Sequence, residues 1–96
     1  MDNMKSYEVK WHASGLNGAF RAQVVASELT RAKELWQEYI ASNKDVEFYW
    51  RKAEKGVKNH YGGYITWTEK GYCDKETGCY DLGFDAWNGS SDHLWD

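Results

Sequence analysis

The sequence predicts an α+β fold in which a single helix covers one face of an antiparallel sheet of four or more strands. Stretches of alternating apolar and polar residues flank one amphipathic helix, in the order strand, strand, helix, strand, strand, with a short C-terminal hairpin after them. Six Trp, seven Tyr and three Phe supply the core area that a chain of only 96 residues needs. No stretch has the composition of a linker, so residues 1–96 are expected to form a single domain.

The first two strands are predicted to form a hairpin. Residues 6–13 alternate between apolar and polar side chains, as the residues of a half-buried strand do. Residues 14–18, Ser-Gly-Leu-Asn-Gly, favour a turn because Gly and Asn tolerate positive φ angles. The alternation resumes over residues 20–26, which gives the second strand. The inward side of the pair is expected to carry Tyr7, Val9, Trp11 and Phe20.

The helix is predicted over residues 27–42. Apolar residues recur there at spacings of three and four, the period of an amphipathic helix. Ser27 is expected to be the N-cap and Glu28 to follow in the first turn, where the helix dipole favours an acid. Asn43 is suited to a left-handed cap at the C-terminal end. We expect Trp36 and Ile40 to pack against the sheet.

Two further strands are predicted after the helix. Over residues 46–51 apolar side chains alternate with polar ones, which indicates a third strand. Residues 52–63, rich in Lys and Gly, are expected to be a loop, and residues 64–68 alternate again to give the fourth strand. The inner sides of these strands are expected to carry Phe48, Trp50 and Trp67.

Two cysteines, Cys73 and Cys79, flank residues 74–78, which favour a hairpin loop with Gly78 in the left-handed conformation. With a five-residue loop the two cysteines face each other and a disulfide is geometrically allowed, whereas with a four-residue loop they are offset. The spacing does not match the short Cys-x(2–4)-Cys pairs of structural zinc sites. We therefore expect free thiols, no metal and no cofactor. The chain then ends in an acidic, aromatic tail over residues 84–96.

Composition predicts a cytoplasmic protein with no membrane partner. No apolar run approaches the length of a transmembrane helix, and no apolar segment follows the first residues as in a signal peptide. The net charge of −3 is uneven, because residues 71–96 carry six acidic residues and a single Lys. Such an acidic end either meets a basic surface on a partner or simply keeps the protein in solution, and any partner protein is expected to have a basic surface.

No enzyme is expected. The three histidines, His12, His60 and His93, are scattered along the chain, and no Ser or Cys has a recognisable nucleophile setting. The pair Gly62 and Gly63 precedes a strand instead of opening a helix, unlike a phosphate-binding loop. The alternative is a small enzyme or nucleotide binder whose site residues are dispersed in the sequence.

A cation-rich segment over residues 51–61 gives a second alternative, a nucleic-acid-binding module. Its candidate contacts are Arg51, Lys52, Lys55, Lys58, His60 and Tyr61. Nucleic-acid-binding domains usually have a basic balance, and this chain is acidic. The segment is therefore interpreted as a solvated loop, and nucleic acid is not the expected partner.

Several aromatic residues have no evident core position, and aromatic side chains are enriched in binding hot spots. This surplus predicts a protein-binding surface on the 64–95 side of the domain, with Trp87 or Trp95 as the anchor. The candidate residues are Tyr64, Tyr72, Tyr80, Asp81, Phe84, Asp85, Trp87, Asp92 and Trp95. Alternatively, Trp87 and Trp95 fold back and seal the open face of the sheet.

The predicted order of two strands, a helix with Ala26, Ser27, Ala32 and Lys33 at its start, and two more strands resembles small phage-encoded proteins, among them anti-CRISPR and other anti-defence inhibitors. The resemblance covers residues 6–68 at the level of architecture and transfers no functional residue. It implies a non-enzymatic inhibitor that sterically occludes a bacterial protein complex in the host cytoplasm.

Overall fold

A computed structural model describes residues 4–13, 15–59 and 62–86 of the chain. In chain order these residues form β1 (Met4–His12), β2 (Gly18–Ala26), α1 (Leu29–Ala41), α2 (Lys44–Asn59), β3 (Tyr64–Cys73) and β4 (Gly78–Ala86). The α+β class and the four-stranded antiparallel sheet are confirmed, but two helices, not one, lie between the second and third strands. Neither of these helices combines the length and the apolar character that crossing a membrane would require.

The sheet is built around the predicted β1–β2 hairpin. β3 pairs with the open edge of β1 and β4 with the open edge of β2, which gives the order β3-β1-β2-β4. The predicted hairpin between the last two strands is therefore wrong, because residues 74–77 cross the end of the β1–β2 hairpin to the opposite edge. In this arrangement β3 and β4 form hydrogen bonds with the backbone groups on the two open edges of the central hairpin. If β3 and β4 paired with each other instead, they could not cover both of these edges.

Helix α2 replaces the predicted third strand and most of the predicted 52–63 loop. Trp50, Ala53 and Gly56 are buried at a spacing of three, which is a helical period. Phe48 lies two residues from Trp50, a separation of about 200° around a helix, and its side chain is 58% exposed. The prediction that Phe48 faces the core is wrong for this reason. Gly56 is required by close packing, since a Cβ there would lie 2.7 Å from the backbone nitrogen of Gly63.

The ends of α1 differ from the predicted caps. Glu28, not Ser27, occupies the N-cap position and makes no side-chain capping hydrogen bond. At the other end Ser42 is the C-cap, with a right-handed φ of −97°. Asn43 instead joins the two helices: its Nδ2 donates to the Tyr39 carbonyl at 2.7 Å, and its own carbonyl accepts from the Glu47 N–H at 2.9 Å.

Three tryptophans from three elements form the centre of the core. Trp11 of β1, Trp36 of α1 and Trp50 of α2 contact one another, with ring centroids 5.0 to 5.4 Å apart. Each is at most 3% exposed, and the predicted packing of Trp36 and Ile40 on the sheet is confirmed. Their indole nitrogens find no acceptor within the described part of the chain, at a cost of roughly 1–3 kcal/mol each. Both helices therefore lie on one face of the sheet, and the other face carries neither of them.

Each edge strand contains one irregularity marked by a glycine. The register of β3 on β1 shifts between Ser6 and Tyr7, next to Gly71 with a φ of 98°. The register of β4 on β2 shifts between Arg21 and Ala22, next to Gly83 with a φ of 88°. A positive φ at a bulge costs glycine no steric clash. The bulge in β4 determines which side chains of that strand face the helices.

Cys73 and Cys79 are both free thiols on opposite edges of the sheet. With β1 and β2 between them, their strands are about 14 Å apart at normal strand spacing, whereas a disulfide needs Cα atoms within about 7 Å. The loop between them is not a hairpin turn, and Gly78 has a φ of 156° in place of the predicted left-handed value. Burial, reinforced by the nearby Glu38 carboxylate, raises the pKa of the Cys79 thiol to about 11.

The Trp36→Ala substitution should lower the free energy of unfolding by about 3–5 kcal/mol, because it removes one ring of the tryptophan cluster and leaves a cavity. Urea unfolding followed by circular dichroism measures the loss. Lys33→Ala, an exposed position on the same helix, is the control and should change stability by less than about 0.5 kcal/mol. A loss below about 1 kcal/mol for Trp36→Ala would contradict the described core.

The Cys79 thiol should be protected from alkylation in the folded protein. Raising its pKa from 9.0 to about 11 lowers the thiolate fraction near pH 8 by about 100-fold. In a Cys73→Ser variant, iodoacetamide should therefore react at least about tenfold faster after unfolding in urea. The same shift stabilises the fold below pH 9, and this contribution is lost as the pH rises towards 11. Equal rates in the folded and unfolded protein would show that the thiol is not buried.

Candidate interaction surface

Four aromatic rings form a continuous strip on the helix-covered side of the molecule. Phe48 contacts Tyr49 at 5.1 Å between centroids, Tyr49 contacts Phe20 at 5.2 Å, and Phe20 contacts Phe84 at 4.8 Å. The two terminal rings are well exposed, Phe48 at 58% and Phe84 at 46%, and the two central rings are half-buried. These four residues, called the aromatic strip below, present apolar area from three separate elements, β2, α2 and β4.

The position of each ring follows from its element. Phe20 and Phe84 are directly opposite each other in the register of β2 and β4, so both side chains lie on the helix side of the sheet. Phe48 and Tyr49 follow one another on α2, and only Tyr49 turns towards Phe20. Phe20 also stacks on the buried Trp11, with centroids 5.4 Å apart and an interplanar angle of 18°. The strip is thus fixed to the core and not carried by a loop.

Opposite charges lie at the two ends of the aromatic strip. The ammonium group of Lys52 is 5.3 Å from the centre of the Phe48 ring, a cation–π distance. At the other end, Asp81 of β4 lies on the same side of the sheet as Phe84, since it pairs with Ala22 after the bulge. One Asp81 oxygen accepts the Gly83 N–H at 2.8 Å. A partner with both basic and acidic groups would therefore be orientated by the strip.

A cavity of about 140 Å³ opens beside the strip, between the α1–α2 corner and the strands β2 and β4. Its walls are mainly aromatic and aliphatic, and its one ionisable carboxylate belongs to Asp81. The residues that matter for its chemistry are Phe20, Trp36, Tyr39, Val46, Asp81 and Phe84. Burial raises the pKa of Tyr39, and the nearby charge of Asp81 adds to this effect. Tyr39 is therefore a neutral hydroxyl at physiological pH.

The structure divides the described residues of the predicted protein-binding set between two edges. Tyr64 and Tyr72 lie on β3, whereas Tyr80, Asp81, Phe84 and Asp85 lie on β4, with β1 and β2 between them. On β4 the set is divided again: Asp81 and Phe84 lie on the helix side, and the partners of Tyr80 and Asp85 are on the other face. Trp87, Asp92 and Trp95 lie outside the described residues. Of this set, therefore, only Phe84 belongs to the aromatic strip, and Asp81 lies beside it on the same face.

Tyr80 has a local structural partner. Its hydroxyl donates to the Glu76 carbonyl at 2.7 Å, and the Lys75 ammonium lies 4.6 Å from the centre of its ring. Lys75 also donates to Gln23 Oε1 at 3.0 Å, and Gln23 donates to the hydroxyl of Ser6 at 2.8 Å. These contacts hold the 74–77 crossing against the central hairpin, which accounts for Tyr80 without a partner protein.

Tyr64 and Tyr72 occupy opposite ends of β3. Tyr64 stacks with the buried His12 at 5.6 Å, and burial, with a smaller effect from Asp85, raises the pKa of its hydroxyl. His12 Nδ1 lies 2.8 Å from the Gly18 carbonyl oxygen, so this histidine closes the β1–β2 turn. Tyr72 is 71% exposed, with Lys5 5.8 Å from its ring. Tyr72 is thus an exposed aromatic residue far from the strip.

The predicted cation-rich loop is helical up to Asn59, and its charges are interleaved with acids. Arg51 donates to Glu54 at 2.8 Å, to Gln37 at 3.2 Å and to Glu47 at 3.4 Å. The Glu54 contact is the main reason that the pKa of Arg51 is raised. Lys44 binds Glu47 at 3.3 Å and lowers the pKa of that carboxyl. His60, Tyr61 and the side chain of Lys58 lie outside what the structure describes.

The helix-free face carries a charged cluster that the sequence analysis did not identify. Glu8 accepts from Arg21 Nε at 2.8 Å and lies 3.5 Å from the Lys70 ammonium. The Arg21 contact lowers the pKa of Glu8, so this carboxylate is ionised and is paired with two cations. Over the described ranges, no group of three His, Cys, Asp or Glu side chains is placed to hold a metal ion.

The part of the site that the sequence analysis missed is contributed by α2. The alternation over residues 46–51 predicts a strand for Phe48 and Tyr49, whereas the spacing of Trp50, Ala53 and Gly56 indicates a helix. The described residues thus present an exposed apolar surface with an adjoining cavity, an ion-paired helix surface and a charged cluster on the helix-free face. Comparison of the chain with known protein families, curated proteins and solved structures finds no match to any of them.

Proposed function

We propose that this chain is a non-enzymatic protein-binding domain that docks its partner on the aromatic strip. The observation that carries the proposal is the pair of exposed rings, Phe48 and Phe84. Phe84 contacts Phe20 directly and Phe48 does so through Tyr49, and Phe20 stacks on the buried Trp11. Aromatic residues dominate binding hot spots because they bury a large area and lose little side-chain entropy. Rings that already pack on the core lose still less side-chain entropy when a partner binds, so the strip is pre-organised for binding.

The net charge of the chain favours a partner whose surface is mainly basic, although Lys52 and Asp81 lie at opposite ends of the strip. The chain carries a net charge of −3, and most of the acidic excess lies in residues 71–96. Complementary charge speeds association and orientates the encounter, while buried aromatic contacts slow dissociation. In this proposal the domain acts by occlusion: it covers a surface that its target needs. The target expected from the architectural resemblance is a bacterial protein complex, met in the host cytoplasm.

Substituting the two exposed rings should strongly weaken partner binding without unfolding the domain. In a Phe48→Ser/Phe84→Ser variant, affinity for the partner should fall by about 2 kcal/mol or more, through a faster off-rate. Proteins captured from a bacterial lysate on the immobilised wild-type domain are identified by mass spectrometry. Each is then purified and its binding kinetics are measured by surface plasmon resonance.

Tyr72→Ser is the matched control, because Tyr72 is an exposed aromatic residue at the opposite edge of the sheet. This variant should bind like the wild type, and all variants should show the wild-type fold by circular dichroism. The proposal fails if the double variant captures the same proteins with unchanged kinetics. It also fails if Tyr72→Ser loses them while the double variant retains them.

Nucleic acid should bind only weakly at about 150 mM salt. Arg51 and Lys44 are neutralised by Glu47 and Glu54, so few phosphate contacts are available on α2. Fluorescence anisotropy with labelled single- and double-stranded DNA and RNA measures this. Sub-micromolar binding that disappears in a Lys52→Glu/Lys55→Glu variant would replace the protein-binding proposal with a nucleic-acid-binding function.

A further inference from the structure

The cavity beside the aromatic strip combines apolar walls with one negative charge. Phe20, Tyr39 and Phe84 supply ring surface, Val46 supplies aliphatic surface, and Asp81 supplies the carboxylate. Its volume of about 140 Å³ is close to the roughly 150 Å³ of an engineered protein cavity that binds benzene. The cavity is therefore large enough for the end of one long side chain and too small for a nucleotide.

Asp81 has no cationic partner in the described part of the chain. No Lys or Arg side chain there lies within salt-bridge distance of it. Its one hydrogen bond in that part, from the Gly83 N–H, uses Oδ1 and fixes the orientation of the carboxylate. Its second oxygen makes no such bond there, and Asp81 is solvent-exposed where it lines the cavity. A positive group would find both ring faces and a fixed negative charge at this position.

The other polar atoms of the cavity walls do not compete for a ligand. Trp11 and Trp36 also line the cavity, but less than 1 Å² of each indole nitrogen is accessible. A ligand in the cavity therefore does not reach these N–H groups. The side-chain groups that a ligand in the cavity could contact are the Asp81 carboxylate, the aromatic ring faces and the hydroxyl of Tyr39.

We propose that this cavity binds a basic side chain, Lys or Arg, of the partner protein. The inference rests on the proposed function, because it names the chemistry by which the partner of the aromatic strip is recognised. The alkyl stem of the side chain packs between Val46 and the rings, and its cationic end lies against Asp81. Arg side chains bury their stems in this way and stack on aromatic faces. The contact is non-covalent, so the partner remains unmodified.

Small probes test the cavity without a known partner. n-Butylguanidinium represents the end of an Arg side chain, and n-butylurea has nearly the same shape without the charge. Titrations are followed by the aromatic NMR resonances of Tyr39 and Phe84. Butylguanidinium should bind roughly fivefold tighter than butylurea, and raising the salt concentration should remove most of the difference.

Two aspartates on the same strand provide a matched pair of variants. Asp81→Asn keeps an oxygen for the Gly83 N–H but removes the charge, so it should reduce butylguanidinium binding to the level of butylurea. Asp85→Asn removes a charge on the opposite face of β4 and should leave binding unchanged. Equal binding of both probes to the wild type, or unchanged butylguanidinium binding to Asp81→Asn, would overturn the proposal.

A second pair of probes tests whether the cavity binds an Arg side chain within a polypeptide or only a free organic cation. A blocked glycine pentapeptide with a central Arg should bind at least as tightly as butylguanidinium, and the same peptide with citrulline should not. Binding of butylguanidinium without binding of the Arg peptide would overturn the assignment to a partner side chain. Phe48→Ser should leave all these titrations unchanged, because Phe48 does not line the cavity. The capture experiment therefore tests the proposed role of the aromatic strip, and the probe titrations test the cavity, so either proposal can fail without the other.

Discussion

Contact between Trp11, Trp36 and Trp50 determines how the two helices sit on the sheet. Each ring comes from a different element, so the three elements can approach only as the three indoles pack together. Large aromatic side chains give a small domain much buried area from few residues. The small residues Ala22, Ala32 and Ala53 are buried around the cluster, where larger side chains would compete for the same space. The aromatic strip and its cavity form where this packing meets β4.

The open edges of the central hairpin impose the second constraint. β1 and β2 pair with each other, and each keeps one edge whose backbone groups are unpaired within the hairpin. β3 pairs with the open edge of β1, and β4 pairs with the open edge of β2. This separation places β4 beside α1 and brings Phe84 and Asp81 to the helix side. If β3 and β4 had paired as a hairpin, Phe20 would keep its contact with Trp11 but have no ring beside it on the β4 side, and the strip would end at Phe20. The interaction surface thus depends on a non-local choice of strand pairing.

Local periodicity was sufficient to predict the β1–β2 hairpin, the helix around Trp36 and an antiparallel sheet, but one of the four strands it predicted, over residues 46–51, is part of α2. It failed for Phe48 because the run 46–51 alternates as a strand does, while the helical signal depends on Ala53 and Gly56 farther along the chain. It also failed for Cys73 and Cys79, because a turn-like loop does not reveal which edges its flanking strands join. Asp81 and Phe84 were among the predicted site residues, but their separation from Asp85 required the bulge at Gly83.

The crossing between β3 and β4 also limits how this domain can vary. Four residues, 74–77, connect strands that are three strand spacings apart, about 14 Å. The five peptide steps from Cys73 to Gly78 reach at most about 18 Å when fully extended, so little slack is left. Shortening this segment by two residues would pull β4 from its edge, whereas added residues cost little chain entropy. Variants of this chain should therefore tolerate insertions in residues 74–77, whereas deletions there should destabilise the sheet.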